Sequence, residues 1–141
     1  MTLKGIICAV SGFFGALIAT AFGGWTGAMT TLMIFMGVDF FSGLIVAAVF
    51  KKSNKSAGGG LESRAGWKGI ARKGVTLLIV LVAHRLDLLI ATNYIKNAVI
   101  IAFCVNELIS LIENAGLMGI PIPSVITKAI EVLKQKSEDE I

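Results

Sequence analysis

What most constrains this chain is a Gly-rich basic stretch, residues 51–74, set between long apolar runs. It holds seven basic side chains (Lys51, Lys52, Lys55, Arg64, Lys68, Arg72 and Lys73) against one acid, Glu62. That surplus of six exceeds the +4 of the whole chain, so the remainder is net negative. A short basic connector between apolar segments stays on the cytoplasmic side of a membrane, because Lys and Arg resist translocation. Composition points the same way. The chain is 55% hydrophobic and 16% charged, whereas soluble domains carry about 25% charged residues. Its 141 residues make one domain, too poor in charge to solvate the outside of its own core. A basic chain raises nucleic acid as a partner. Here, however, the charge sits in one connector, and Trp25, Trp67 and Tyr94 lie at segment ends or within it. Anionic lipid head groups account for that pattern, and no nucleic acid is expected.

The expected fold is an all-α membrane protein. About four transmembrane helices, two hairpins joined by the basic cytoplasmic loop, are followed by a short C-terminal amphipathic helix. The helices are expected at about 5–22, 25–50, 75–91 and 97–112, with the tail helix at 124–136 and both termini in the cytoplasm. Residues 5–22 are an uncharged run just long enough to span. Small residues recur along it (Ser11, Gly12, Gly15, Ala16, Ala19), a ridge on which another helix backbone can approach closely. The partner is either another part of the chain or a second copy. Frequent Gly and Ala in membrane helices is the plainer reading. Lys4, the apolar run and Ala19-Thr20-Ala21 also fit a signal peptide. Both readings leave the basic loop inside. Gly23-Gly24 breaks the segment, and Trp25 can anchor at the interface.

From residue 25 to 50 the only charge is Asp39, which shares a helical face with Gly43 and Ala47. A carboxylate near mid-bilayer costs ~2.5–3.5 kcal/mol on insertion scales and seldom faces lipid. The third segment carries His84, Arg85 and Asp87, and the fourth Asn106 and Glu107. Asp39 lies eleven residues from Phe50, and Arg85 ten from Val75. At ~1.5 Å per residue both sit roughly 15–17 Å from the inner boundary, so Asp39 and Arg85 are the expected ion pair, inside a protomer or across a protomer boundary. His84 and Asp87, at i and i+3, can bond each other. These polar groups are either glue between helices or the lining of a water-filled path. A stop is expected at Glu113-Asn114-Ala115-Gly116 and again at Gly119, Pro121 and Pro123. Ser124 is the expected N-cap of the tail helix, which is to lie on the membrane surface or on a partner helix. Residues 137–141 are expected as loose acidic chain.

Catalysis finds no support. Glu107 and Glu113 fall on different helix faces, and Ser110 has no His nearby in sequence. The glycines at 58–60 lack the Lys and Ser/Thr of a phosphate loop. Cys8 and Cys104, with one His, make neither a disulfide framework nor a zinc site, so no metal or cofactor is expected.

Four stretches resemble the toxin-secretion/phage-lysis holin family. The run from Asn106 and Glu107 through Ser110 to Glu113 and Asn114 is similar to its N-E-x-x-S-(I/L)-x-E-N. Gly119, Pro121 and Pro123 match its G-x-P-(I/L)-P. Asp39 to Gly43 resembles D-x-x-(S/T)-G, and Gly66, Gly69 and Lys73 fall in G-x-x-G-(I/L)-x-(K/R)-K. His84 to Asp87 resembles H-x-(I/L)-D. The resemblance covers about residues 39–136, without the first helix. It implies a homo-oligomer of the bacterial cytoplasmic membrane that opens holes, releasing endolysin for host lysis or a large toxin for export. The alternative is a small four-helix transporter or channel subunit coupling an intramembrane acid, Asp39 or Glu107, to ion movement. An accessory membrane protein without a pore is a third reading.

Overall fold

The computed structural model describes residues 1–139, and every regular element among them is helical. Helix α1 is Leu3–Ala21 and α2 is Gly27–Ile45, which runs on through a π-helical turn, Val46–Phe50. Helices α3 (Ser63–Ile90), α4 (Ile95–Leu117) and α5 (Ser124–Asp139) follow. Local chemistry sets the first two starts. Thr2 Oγ1 accepts the Gly5 N–H at 3.2 Å, and Thr26 Oγ1 accepts that of Met29 at 3.4 Å. Each hydroxyl satisfies a donor that the first helical turn leaves without a partner. Ser124 departs from its expected capping role. It is already helical, and the Ile126 N–H bonds Pro123 O at 3.0 Å.

Three boundaries differ from the sequence reading. The basic stretch expected as loop over 51–74 is loop only over 51–62, and its second half is the first twelve residues of α3. Isolated glycines at 66, 69 and 74 cost about 1 kcal/mol each in a helix interior, too little to break one that packs on its neighbours. In the loop itself, Gly59 has φ +75°, and a Cβ there would lie 2.5 Å from Lys51 O. Only glycine fits that close approach. Helix α4 passes through the stop expected at Glu113 to Gly116 and ends at Leu117, just before Gly119, whose φ is +76°. The chain over 137–139, expected as loose, is the last turn of α5, while Glu140 and Ile141 lie outside the described residues.

The bundle is built around α4, against which α2, α3 and α5 all pack. Helix α2 runs parallel to α4, with α3 and α5 antiparallel. Met29, Leu32 and Met36, one stripe at helical spacing on α2, meet Val80 of α3 and Ile100 and Cys104 of α4 in the core. Helix α1 stands apart. None of its residues is buried, and it joins the bundle at its C-terminal end, where Phe22 packs on the core. The hairpin expected from the first two segments is therefore joined at its turn and not packed along its length.

Among the described residues, three helical segments are long and apolar enough to cross a membrane: Leu3–Ala21, Gly27–Phe50 and Ile95–Leu117. Helix α3 has the length, but Lys73 lies in its first half and Arg85 and Asp87 near its end. Large apolar side chains cover the outside of the molecule, among them Phe13, Phe41, Leu78 and Leu89. An exterior of that kind is solvated by lipid, since soluble monomers rarely expose contiguous apolar patches of more than a few hundred Å².

Candidate functional site

Polar groups enter the bundle at two levels. Nearer the basic loop, Lys73 Nζ of α3 lies 2.8 Å from Asp39 Oδ2 of α2 and 2.5 Å from Glu107 Oε2 of α4. Their side chains are 20%, 6% and 12% exposed respectively, so one cation is shared by two largely buried carboxylates. Asp39 continues the buried stripe of Met29, Leu32 and Met36, so the periodicity that builds the core also aims the carboxylate inward. Asn114 of α4 completes the layer. Its Nδ2 donates to Ser42 Oγ at 2.8 Å and to Asp39 Oδ1 and Asp39 O at 3.2 Å, while Ser42 Oγ donates to Asp39 O at 2.9 Å. A buried charge with every partner in place costs far less than an unpaired one.

This replaces the expected Asp39–Arg85 pair, because Arg85 is exposed and lies nearer the opposite end of α3. The error came from the start of α3. Ten residues from Val75 is Arg85, but ten residues from the true start, Ser63, is Lys73. Asp39, Lys73 and Glu107 each lie ten or eleven residues from the basic-loop end of their helices, at about 15–17 Å.

Beside the layer, toward the basic loop, is a cavity of about 610 Å³ between α2, α3, α4 and the loop. Residues from three of the quoted motifs converge on it. Asp39 and Gly43 come from the first, Gly66, Gly69 and Lys73 from the second, and Asn106, Glu107, Ser110 and Glu113 from the third. A Cβ at Gly69 or Gly43 would make only ordinary contact, with the Phe40 ring (3.9 Å) or Asn114 Nδ2 (3.7 Å). Ala47 is buried on the same face of α2. Asn106 and Glu113 are exposed at the cavity rim.

The second level is at the opposite end. Asp87, buried near the end of α3, accepts from Thr92 Oγ1 at 2.6 Å and from the backbone N–H groups of Ile95 at 3.0 Å and Lys96 at 2.9 Å. It thus caps the start of α4 from the preceding helix, and its bonds go there and not to His84. Lys96 Nζ in turn donates to Phe22 O and, at 3.4 Å, to Gly24 O, carbonyls that the end of α1 leaves free. The His84 ring closes over Gly23, whose φ of +79° and lack of Cβ make room for it. Of the expected ridge, Ser11, Gly12, Gly15 and Ala16 are exposed and Ala19, near the end of α1, is half-buried; among the described residues no atom stands within 4 Å of where a Cβ would sit on Gly12 or Gly15. Gly119, Pro121 and Pro123 form the turn from α4 to α5.

Sequence reasoning missed three participants: Lys96, Ser42 and the ion-pairing role of Lys73. For Lys73 a signal existed, because 66, 69 and 73 follow the i, i+3, i+7 spacing of one helical face. Ser42 stands three residues after Asp39, on the same stripe. Nothing in the sequence announces that Lys96 reaches back over seventy residues to α1.

Comparison with known proteins places this arrangement. The profile of the bacteriophage holin family matches residues 16–135. An uncharacterized protein of Listeria innocua is 37% identical over 128 residues, covering 90% of this chain and 86% of its own. Another from Clostridium perfringens is 34% identical over 136 residues, covering 94% and 95%. A probable holin of Bacillus phage phi105 is 31% identical over 104 residues, covering 73% and 71%. No solved structure matches. An all-helical bundle with three membrane-length apolar segments, matched over most of its length by that profile, belongs to the bacteriophage holin family.

Proposed function

We propose that the chain is a holin that gathers into homo-oligomers in the bacterial cytoplasmic membrane and opens holes through which endolysin reaches the cell wall. The basic loop, 51–62 with the first turns of α3, faces the cytoplasm. The observation that carries the reading is the state of α1. It is a spanning-length helix with no buried residue, and at Gly12 and Gly15 its small-residue ridge meets open space among the described residues. Helices in lipid associate through such ridges, and a second copy supplies the missing surface. The family's printed description and the relative from phage phi105 support the same function.

The ion-paired layer suits this role better than ion coupling. Asp39 and Glu107 both engage Lys73, so neither carboxylate is left free to take up and release a cation without breaking the bundle. Induced expression in a bacterium carrying a potential-sensitive dye tests the proposal. The expected result is a growth period followed by abrupt collapse of the membrane potential. Graded, substrate-dependent flux at a maintained potential would instead favour a transporter.

A further inference from the structure

Helix α5 lies where a charged helix has no suitable solvent in a single copy. Helix α4 is of spanning length, and α5 runs antiparallel along it. Ser137 Oγ donates to Ala98 O at 3.2 Å, so α5 reaches the fourth residue of α4. From Ser124 to Ser137 that is about 20 Å of helix laid against a membrane-crossing one. The side of α5 turned to α4 carries Ile130 and Ser137, both buried, with Leu133 half-buried between them. Opposite them, at helical spacing, stand Lys128, Glu131, Gln135 and Glu138, all exposed. Among the described residues none of the three charged ones forms an ion pair. Lipid tails do not solvate such a face at membrane depth, so it needs water there.

We propose that in the assembled oligomer α5 lines the aqueous hole, held on α4 by its Ile130, Leu133 and Ser137 side and turning Lys128, Glu131 and Gln135 to the water. The proposal rests on the hole-forming reading above. The turn over 118–123, with Gly119 at φ +76° and two prolines, folds α5 back along α4. Because the wall carries both signs of charge, it wets the hole without selecting strongly by charge. Such a wall passes a folded protein and does not choose among ions.

The test is conductance in planar bilayers of phosphatidylglycerol and phosphatidylethanolamine, using the full chain with Cys8→Ser and leaving buried Cys104 in place. After holes open, a polyethylene-glycol maleimide is added to Gln135→Cys or to Leu89→Cys, a residue 80% exposed on α3. The proposal expects loss of conductance at Gln135→Cys and none at Leu89→Cys. Unchanged conductance at Gln135→Cys, or equal loss at both, overturns it. In the double variant Ala98→Cys with Ser137→Cys, a disulfide is expected in the conducting state. Conducting holes in which that disulfide does not form under oxidation also overturn the proposal. If the wild-type chain itself never conducts, the hole-forming reading fails and takes this inference with it.

Discussion

Lys73 balances two carboxylates, so removing it differs from removing either of them. Lys73→Met leaves Asp39 and Glu107 facing each other unpaired and is expected to destabilise the bundle by about 3–5 kcal/mol, the usual cost of breaking a buried pair. Glu107→Gln leaves a one-to-one pair and is expected to cost much less. Arg85→Met, at an exposed position, should stay within about 0.5 kcal/mol of the parent. Thermal unfolding in detergent ranks the three, and a large effect at Arg85 would restore the pairing first expected from the sequence. Gly23→Ala tests the other end. The new Cβ meets the His84 ring at a left-handed φ, so a fall in melting temperature is expected. Gly12→Ala, in open space, should leave the melting temperature unchanged.

At the scale of elements, Asp87 is the link that joins α3 to α4. Asp87→Ala strips the cap from two backbone donors, and a loss of about 0.5–2 kcal/mol is expected, the range for capping side chains. Hydrogen exchange at the Ile95 and Lys96 amides should quicken first. The helices themselves were legible in the sequence wherever lipid solvates them, because an uncharged run of spanning length has few alternatives. The start of α3 was not, since positive charge at 64, 68 and 72 reads as loop while Lys73, on another face, ties the helix to α2 and α4. The family motifs named residues that the fold brings together, but not their geometry. Asp39, Glu107 and Lys73 were each named, yet their meeting depends on where α3 begins. That boundary is decided by tertiary packing and not by local sequence signals.

For the whole molecule, an exterior made for lipid goes with an α1 that buries none of its residues among those described. Gly15→Leu fills the ridge where a Cβ meets open space, so the monomer fold should persist while cross-linked oligomers in membranes diminish. Loss of fold together with loss of oligomer would show that α1 packs within the protomer after all. The measurement that bears most directly on hole formation uses the purified chain in vesicles loaded with both a small dye and a folded, fluorescent endolysin. Past a threshold of protein to lipid, dye and endolysin should leave together. Release of the dye with the endolysin retained at every ratio, or retention of both, would contradict the account.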